Sequence, residues 1–177
     1  PLSGVRRTPI LLHHMKKQLL FSGIQALLEK GAIVLVPLKE RGQGMYSILF
    51  LAQKASGDYR PLLDLRQVNH YVIFGCCLQQ VMAMLVQGQY IATIDFEDAY
   101  LHIPIHPAHQ KYLRFLVGNS HYQFRLLPFD LKSSPCVFTK VLAPLIVLLR
   151  EEGVNILSYL DDCLILATDL QLAELDK

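Results

Sequence analysis

The stretch Val154-Asn155-Ile156-Leu157-Ser158-Tyr159-Leu160-Asp161-Asp162-Cys163-Leu164-Ile165-Leu166-Ala167 consists of two short apolar runs separated by four residues that end in two carboxylates. The pattern predicts a β-hairpin whose tight turn is Tyr159 to Asp162. An Asp-Asp pair in a turn has an ordinary explanation, since Asp suits turns for backbone reasons alone. A third carboxylate changes its weight. Asp95 closes another apolar stretch, Tyr90-Ile91-Ala92-Thr93-Ile94, and a strand ending there beside the hairpin gathers three acids at one sheet edge. Their mutual repulsion favours divalent cations, which is how a two-metal phosphoryl-transfer site is built.

Working outward, Gln67 to Ile94 contains no charged residue, and Leu78, Val81, Met82, Leu85 and Val86 recur at helical spacing with Gly88 as a stop. That predicts a mostly buried helix. Residues 113 to 126 predict strands turned at Gly118-Asn119. Ser134-Pro135 opens a helix that runs to Arg150, with an expected kink at Pro144, and Glu151-Glu152-Gly153 ends it. In the first third, Ser22 and Gln25 have capping-box spacing and Gly31 is a helix stop. A strand over Ala32 to Val36 follows, then a Gly42-Gln43-Gly44 loop. Tyr46 to Ala52 and Tyr59 to Leu65 then form two strands joined through Ser56-Gly57-Asp58. The order suits an α+β fold with a helix packed across an antiparallel sheet.

At 177 residues and 52% hydrophobic content the chain can bury a sizeable core, which argues against disorder. The longest unbroken apolar run, Val141 to Leu149, contains Pro144 and is too short to cross a bilayer, so no membrane partner is expected. Net charge is only +2, but residues 1 to 66 carry ten Lys and Arg against four Asp and Glu, and the remainder carries seven against eleven. A basic first third suits phosphates, and a more acidic remainder suits metal. Cys76, Cys77, Cys136 and Cys163 lack zinc or disulfide spacing, so a reduced, intracellular setting is expected. Pro104 and Pro107 break any single helix that would align His102, His106 and His109 on a metal. Pro1, with neither an initiator Met nor a signal-like segment, marks the chain as an expected fragment of a longer product.

With these residues in hand, the chain resembles the reverse transcriptase domain of retroviruses and retrotransposons. Tyr59-Arg60-Pro61-Leu62-Leu63-Asp64-Leu65-Arg66-Gln67-Val68-Asn69 is similar to its fingers motif, and Asp95-Phe96-Glu97-Asp98-Ala99-Tyr100 to the first catalytic motif of the palm. Leu127-Pro128-Phe129-Asp130-Leu131-Lys132-Ser133-Ser134-Pro135 is similar to the next motif and Tyr159 to Asp162 to the third, in the usual order. Four ordered motifs are far more specific than one. His102-Ile103-Pro104-Ile105-His106-Pro107 and Val137-Phe138-Thr139-Lys140 look closer to the DIRS type, retrotransposons that carry a tyrosine recombinase, than to retroviruses. The resemblance implies an α+β polymerase right hand: fingers-like over about 1–89 and 113–127, palm-like over about 90–112 and 128–177, with an antiparallel palm sheet packed on helices. The thumb and any ribonuclease H domain are expected outside the chain, in the remainder of a polyprotein.

By the same resemblance the activity is RNA-directed DNA polymerisation, on an RNA or DNA template with primer and dNTP, using two Mg²⁺ ions or Mn²⁺. Asp95 and Asp161 would bridge the metals, with Asp162 adding charge and shaping the turn. Arg60, assisted by Lys54, would fold onto the triphosphate, and Phe129 would line the nucleotide site. Tyr100 would be a steric gate against a 2′-hydroxyl; its alternative is an ordinary core aromatic. Glu97 and Asp98 are read as solvated acids, and Asp64 with Arg66 as a structural ion pair. Asp130 stands where the family has Gly, so it reads as a lesion that Asp130→Gly would repair. Phe74-Gly75-Cys76-Cys77 departs from the polar and basic residues usual there. The competing class is a catalytically inactive retroelement remnant or nucleic-acid-binding module.

Overall fold

The computed structural model describes residues 5–8, 14–54, 57–72, 90–159 and 162–167. The helix expected around Leu78 to Val86 and the residues Leu160 and Asp161 lie outside them. In chain order the elements are α1 (His14–Glu29), β1 (Ile33–Leu35), β2 (Tyr46–Ser47), β3 (Leu49–Gln53), β4 (Tyr59–Leu63), α2 (Arg66–His70), β5 (Tyr90–Asp95), α3 (Pro107–Gln110), β6 (Arg114–Val117), β7 (Ser120–Phe124), α4 (Ser134–Glu151), β8 (Ile156–Tyr159) and β9 (Asp162–Ala167). Two compact units interleave along the sequence: Pro1–Val72 with Leu101–Lys132, and Ile73–Tyr100 with Ser133–Lys177.

The first unit contains a four-stranded sheet in the order β1-β7-β6-β2 and a separate β3-β4 hairpin. Leu20 and Ile24 of α1 are buried with Ile33, Leu49, Leu63 and Phe115 in one apolar cluster. Two expectations change here. Ser22 is not a cap: α1 begins eight residues earlier, at His14, and Ser22 donates its hydroxyl to the Leu19 carbonyl inside the helix (3.1 Å). Burial of Leu20 ahead of it outweighs the local capping pattern. The strand expected from Tyr46 to Ala52 is divided at Ile48, because Tyr46 pairs in parallel with Arg114 while Leu49 pairs antiparallel with Leu63. One continuous stretch of chain thereby serves two sheets.

Arg114 is a cation in the middle of that sheet, with its side chain only 3% exposed. It donates from Nη2 to Glu40 Oε2 (2.7 Å), from Nη1 to the carbonyls of Glu40 (2.7 Å) and Gln43 (2.8 Å), and from Nε to Gln123 Oε1 (3.0 Å). The guanidinium therefore ties the 40–44 loop to β6 and β7. Nearby, the Tyr46 hydroxyl accepts from the Gly42 N–H and lies 2.8 Å from His121 Nδ1. Burial, reinforced by Arg41, Arg7 and Arg114, holds His121 below its ordinary pKa.

Gly44 has φ +82°, and a Cβ there would lie 2.0 Å from the Lys111 carbonyl oxygen, the same oxygen that accepts the Met45 N–H at 2.9 Å. Gly44→Ala therefore meets backbone as well as a left-handed conformation, and is expected to cost about 2–4 kcal/mol. Gly42 has φ +78° but open space around it, so Gly42→Ala should cost only about 1–2 kcal/mol, the conformational part. Urea unfolding of the two variants checks this; equal losses would mean that the 44–111 approach carries no strain.

The second unit contains a three-stranded antiparallel sheet in the order β5-β9-β8. Helix α4 carries its buried residues at four-residue spacing, Ser134, Phe138, Leu142 and Ile146, and it contacts β8. It runs unbroken from Ser134 to Glu151 with Pro144 on its exposed side. Gly153 follows at φ +90°, as a helix stop requires. Arg150 then donates from Nε and Nη2 to the Ile156 carbonyl (3.0 and 2.8 Å), fixing the start of β8. Among the described residues, no helix is long and apolar enough to cross a membrane.

Candidate active site

In the second unit, β5 pairs with β9 from Tyr90↔Ala167 to Asp95↔Asp162, and β8 with β9 up to Tyr159↔Asp162. Directly opposed residues of an antiparallel pair share a face. Asp95 and Asp162 are thus neighbours at the end of the sheet where the hairpin turns, and both are exposed. Like charges placed opposite each other weaken a sheet, so the pair contributes nothing to holding the strands together. What it offers is hard oxygen donors, the ligand type that Mg²⁺ takes. Asp161 lies outside the described residues, and among those described no three His, Cys, Asp or Glu side chains come together.

Behind the acids, Ile94 and Ser158 flank Cys163 on the neighbouring strands. Burial pushes the Cys163 thiol up, making it a packing group rather than a nucleophile. Tyr100 is also buried, 5% exposed, with its ring edge-on to Phe138 at 5.6 Å; Phe96 meets Phe138 at 5.7 Å. Glu97 and Asp98 are exposed, and Asp98 adopts φ 52° in the turn between β5 and the Ala99–His102 turn of 3₁₀ helix.

In the first unit, Arg60 lies on β4 opposite Ala52, and its guanidinium carbon sits 4.2 Å from the centroid of the Phe129 ring. This is a cation-π stack of the kind that leaves the guanidinium edges available for other partners. Lys54 is exposed where β3 turns towards β4, its N–H donating to the Asp58 carbonyl (2.7 Å). Asp64 accepts from Arg66 Nε (2.7 Å) and Nη2 (2.6 Å). The Arg66 hydrogen bond holds the Asp64 carboxyl below the usual range, and the pair orders the exit from β4. Arg60 and Phe129 are thus brought together by the fold, and Lys54 stands at the hairpin end.

Two residues to which the sequence reading gave no role of this kind complete this part. Asp130 Oδ2 accepts the Leu63 N–H (3.0 Å), and Asn69 spans the same loop, donating from Nδ2 to the Asp130 carbonyl (2.9 Å) and accepting the Lys132 N–H at Oδ1 (2.8 Å). Burial pushes the Asp130 carboxyl up, opposed by the Leu63 N–H and by Arg60. Leu63, Asp64, Arg66, Asn69 and Asp130 line, with Phe50, a cleft of about 500 Å³. Asn69 stands at the end of the quoted fingers motif, and that position was its only signal. Of His102, His106 and His109, the latter two approach with ring centroids 5.6 Å apart, and His106 Nδ1 accepts the Ala108 N–H (3.3 Å).

A family model described as Reverse transcriptase (RNA-dependent DNA polymerase) matches residues 52–175. The Gag-Pro-Pol polyprotein of Mason-Pfizer monkey virus is 31% identical over 160 residues, covering 84% of this chain and 9% of the polyprotein. The Pol polyprotein of equine infectious anemia virus (strain Wyoming) is 28% identical over 128 residues, covering 66% of this chain and 11% of that protein. The chain thus spans about a tenth of these relatives. Among solved structures, the native Prototype Foamy Virus Protease-Reverse Transcriptase superimposes with a TM-score of 0.75 at 24% identity, over 98% of this chain and 23% of that one. That likeness shows the fold, an α+β reverse transcriptase polymerase fold. The family match covers more than half of the sequence and includes the residues of both strand ends just described, so the chain belongs to the reverse transcriptase (RNA-dependent DNA polymerase) family.

Proposed function

We propose that this chain is the nucleotidyl-transfer part of an RNA-directed DNA polymerase, acting on a primed RNA or DNA template with dNTP. The observation that carries the proposal is the direct opposition of Asp95 and Asp162 at the end of β5, with Asp161 next to Asp162 in the sequence. These three carboxylates would hold Mg²⁺, or Mn²⁺ in its place. The chemistry such ions supply is a lowered pKa for the primer 3′-hydroxyl and neutralisation of charge on the phosphates. Arg60 donates to the triphosphate from guanidinium edges that its stack on Phe129 leaves available, and Lys54 adds charge at the hairpin end. The segments of about 1–89 and 113–127 take the fingers-like role, and about 90–112 and 128–177 the palm-like role.

The test is template-directed incorporation of dTMP on an oligo(dT)-primed poly(rA) template, with the chain joined to the thumb of a viral reverse transcriptase. Incorporation that needs template, primer and divalent metal supports the proposal. Tight binding of the primed template by a folded protein, with no incorporation under any metal, identifies a binding module instead. In the same assay Tyr100→Ala should relax discrimination against ribonucleotides while metal binding is retained, because the 2′-hydroxyl no longer meets the ring. Unchanged discrimination would leave Tyr100 as the packing partner of Phe138 and no more.

A further inference from the structure

Leu63, the last residue of β4, is 2% exposed. Its N–H donates to the Asp130 carboxylate at 3.0 Å. A buried N–H without an acceptor is costly, so the side chain at 130 supplies something that a glycine would not. The same loop is held a second time by Asn69, through the Asp130 carbonyl and the Lys132 N–H. Phe129 immediately precedes Asp130, and its ring lies under Arg60. The charged groups around Asp130 are Arg60 on β4 and, on the same cleft, Asp64 and Arg66, which pair with each other.

We propose that Asp130 is a positioning residue: it ties the 128–132 loop to β4, as Asn69 ties it to α2, and so holds the Phe129 ring beneath the Arg60 guanidinium, presenting that guanidinium in one orientation to a triphosphate. The last clause rests on the assignment of Arg60 given above. The direction of the expected effect is then the reverse of a lesion. Asp130→Gly removes the acceptor of the Leu63 N–H and frees the loop backbone that Phe129 depends on, while Asp130→Asn keeps an acceptor oxygen in place.

The experiment is nuclear magnetic resonance on the full 177-residue chain, reading the Leu63 amide and the Arg60 side-chain protons, with tripolyphosphate as the probe. In the parent and in Asp130→Asn, the Leu63 amide should be protected from exchange. The Arg60 protons should be displaced upfield by the ring, a displacement that Phe129→Leu abolishes. Asp130→Gly should exchange Leu63 at least about tenfold faster and lose the Arg60 displacement. Its tripolyphosphate affinity should fall several-fold, and with Arg60→Ala already present the Gly substitution should cost nothing more.

Retention of both signals in Asp130→Gly, or losses that simply add with Arg60→Ala, would overturn the proposal. If the signals respond as expected but parent and Arg60→Ala bind tripolyphosphate equally, the loop anchor stands and the triphosphate role of Arg60 falls. Should Asp130→Gly fail to fold, the parent alone decides. The Leu63 amide shift must follow ionisation of Asp130, with a midpoint above the ordinary carboxylate range; an amide indifferent to that ionisation refutes the hydrogen bond.

Discussion

Asp95→Asn combined with Asp161→Asn should abolish Mn²⁺ binding by the folded chain, and Asp95→Asn alone should lower nucleotide incorporation on the order of a thousandfold. The reasoning is electrostatic. Asp95 and Asp162 face each other across one strand pair, and Asp161 is the residue before Asp162. An amide keeps the shape of a carboxylate but supplies no charge to a dication and only one good donor oxygen. Charge stabilisation by a bound metal contributes several kcal/mol to the transition state, and each ~1.4 kcal/mol is a factor of ten in rate. Paramagnetic broadening by Mn²⁺ reads binding directly in the 177-residue chain. Equal broadening in the parent and the double variant would remove the metal assignment. One effect has the opposite sign: relieving the like-charge pair should leave the β5–β9 sheet as stable as before or slightly more so. Loss of metal binding through unfolding is therefore distinguishable by the melting curve.

The second large effect concerns stability alone. Arg114→Ala should lower unfolding free energy by about 3–5 kcal/mol, since a buried acceptor left without its donor costs about 1–3 kcal/mol and the guanidinium serves several. Four acceptors lose their donor at once: Glu40 Oε2, the carbonyls of Glu40 and Gln43, and Gln123 Oε1. Arg114→Lys keeps the charge but cannot reach the same acceptors with one ammonium, and should recover less than half of the loss. Glu40→Gln should cost only about 1 kcal/mol, because the Glu40 side chain is 39% exposed and water can replace what it loses. Urea denaturation of the three variants gives the order; a Glu40 effect equal to that of Arg114 would mean that the pair, rather than the buried guanidinium, carries the energy.

The acid hairpin was legible because its signals are local and agree. Apolar runs set strands β8 and β9, and a carboxylate at the end of β5 falls opposite Asp162 once the strands pair. The Asp64–Arg66 pair was readable for the same reason, since two residues of separation suffice to join them. What stayed hidden depends on distant partners. Nothing in Tyr46 to Gln53 says that Tyr46 will pair with residue 114 and Leu49 with residue 63, so the division at Ile48 appears only with the sheets assembled. Arg114 gave a faint signal as the one charge within Leu113 to Val117, but three of its four acceptors lie more than 70 residues away, on Glu40 and Gln43. The hydrogen bond that Asp130 makes was hidden for a related reason. A residue unusual for its family is read against what relatives do at that place, whereas its partner here is the N–H of Leu63, 67 positions earlier.

The interleaving of the two units bears on how such a chain is made. Among the described residues, strand β1 has its sheet neighbour in β7, through Ile33↔Phe124, and β2 has its own in β6, through Tyr46↔Arg114. A nascent polypeptide that has emerged only to residue 100 therefore holds two strands whose hydrogen-bonding edges await sequence not yet translated. The β3–β4 hairpin, closed within 15 residues, can form meanwhile and await the rest. By the time Phe124 emerges, the β5 segment that belongs to the other unit is already out, with its own partner β9 still to come. Growth of this protein from the ribosome is thus not a matter of finishing one part before beginning the next, and each half must stay soluble with open strand edges while the other is synthesised.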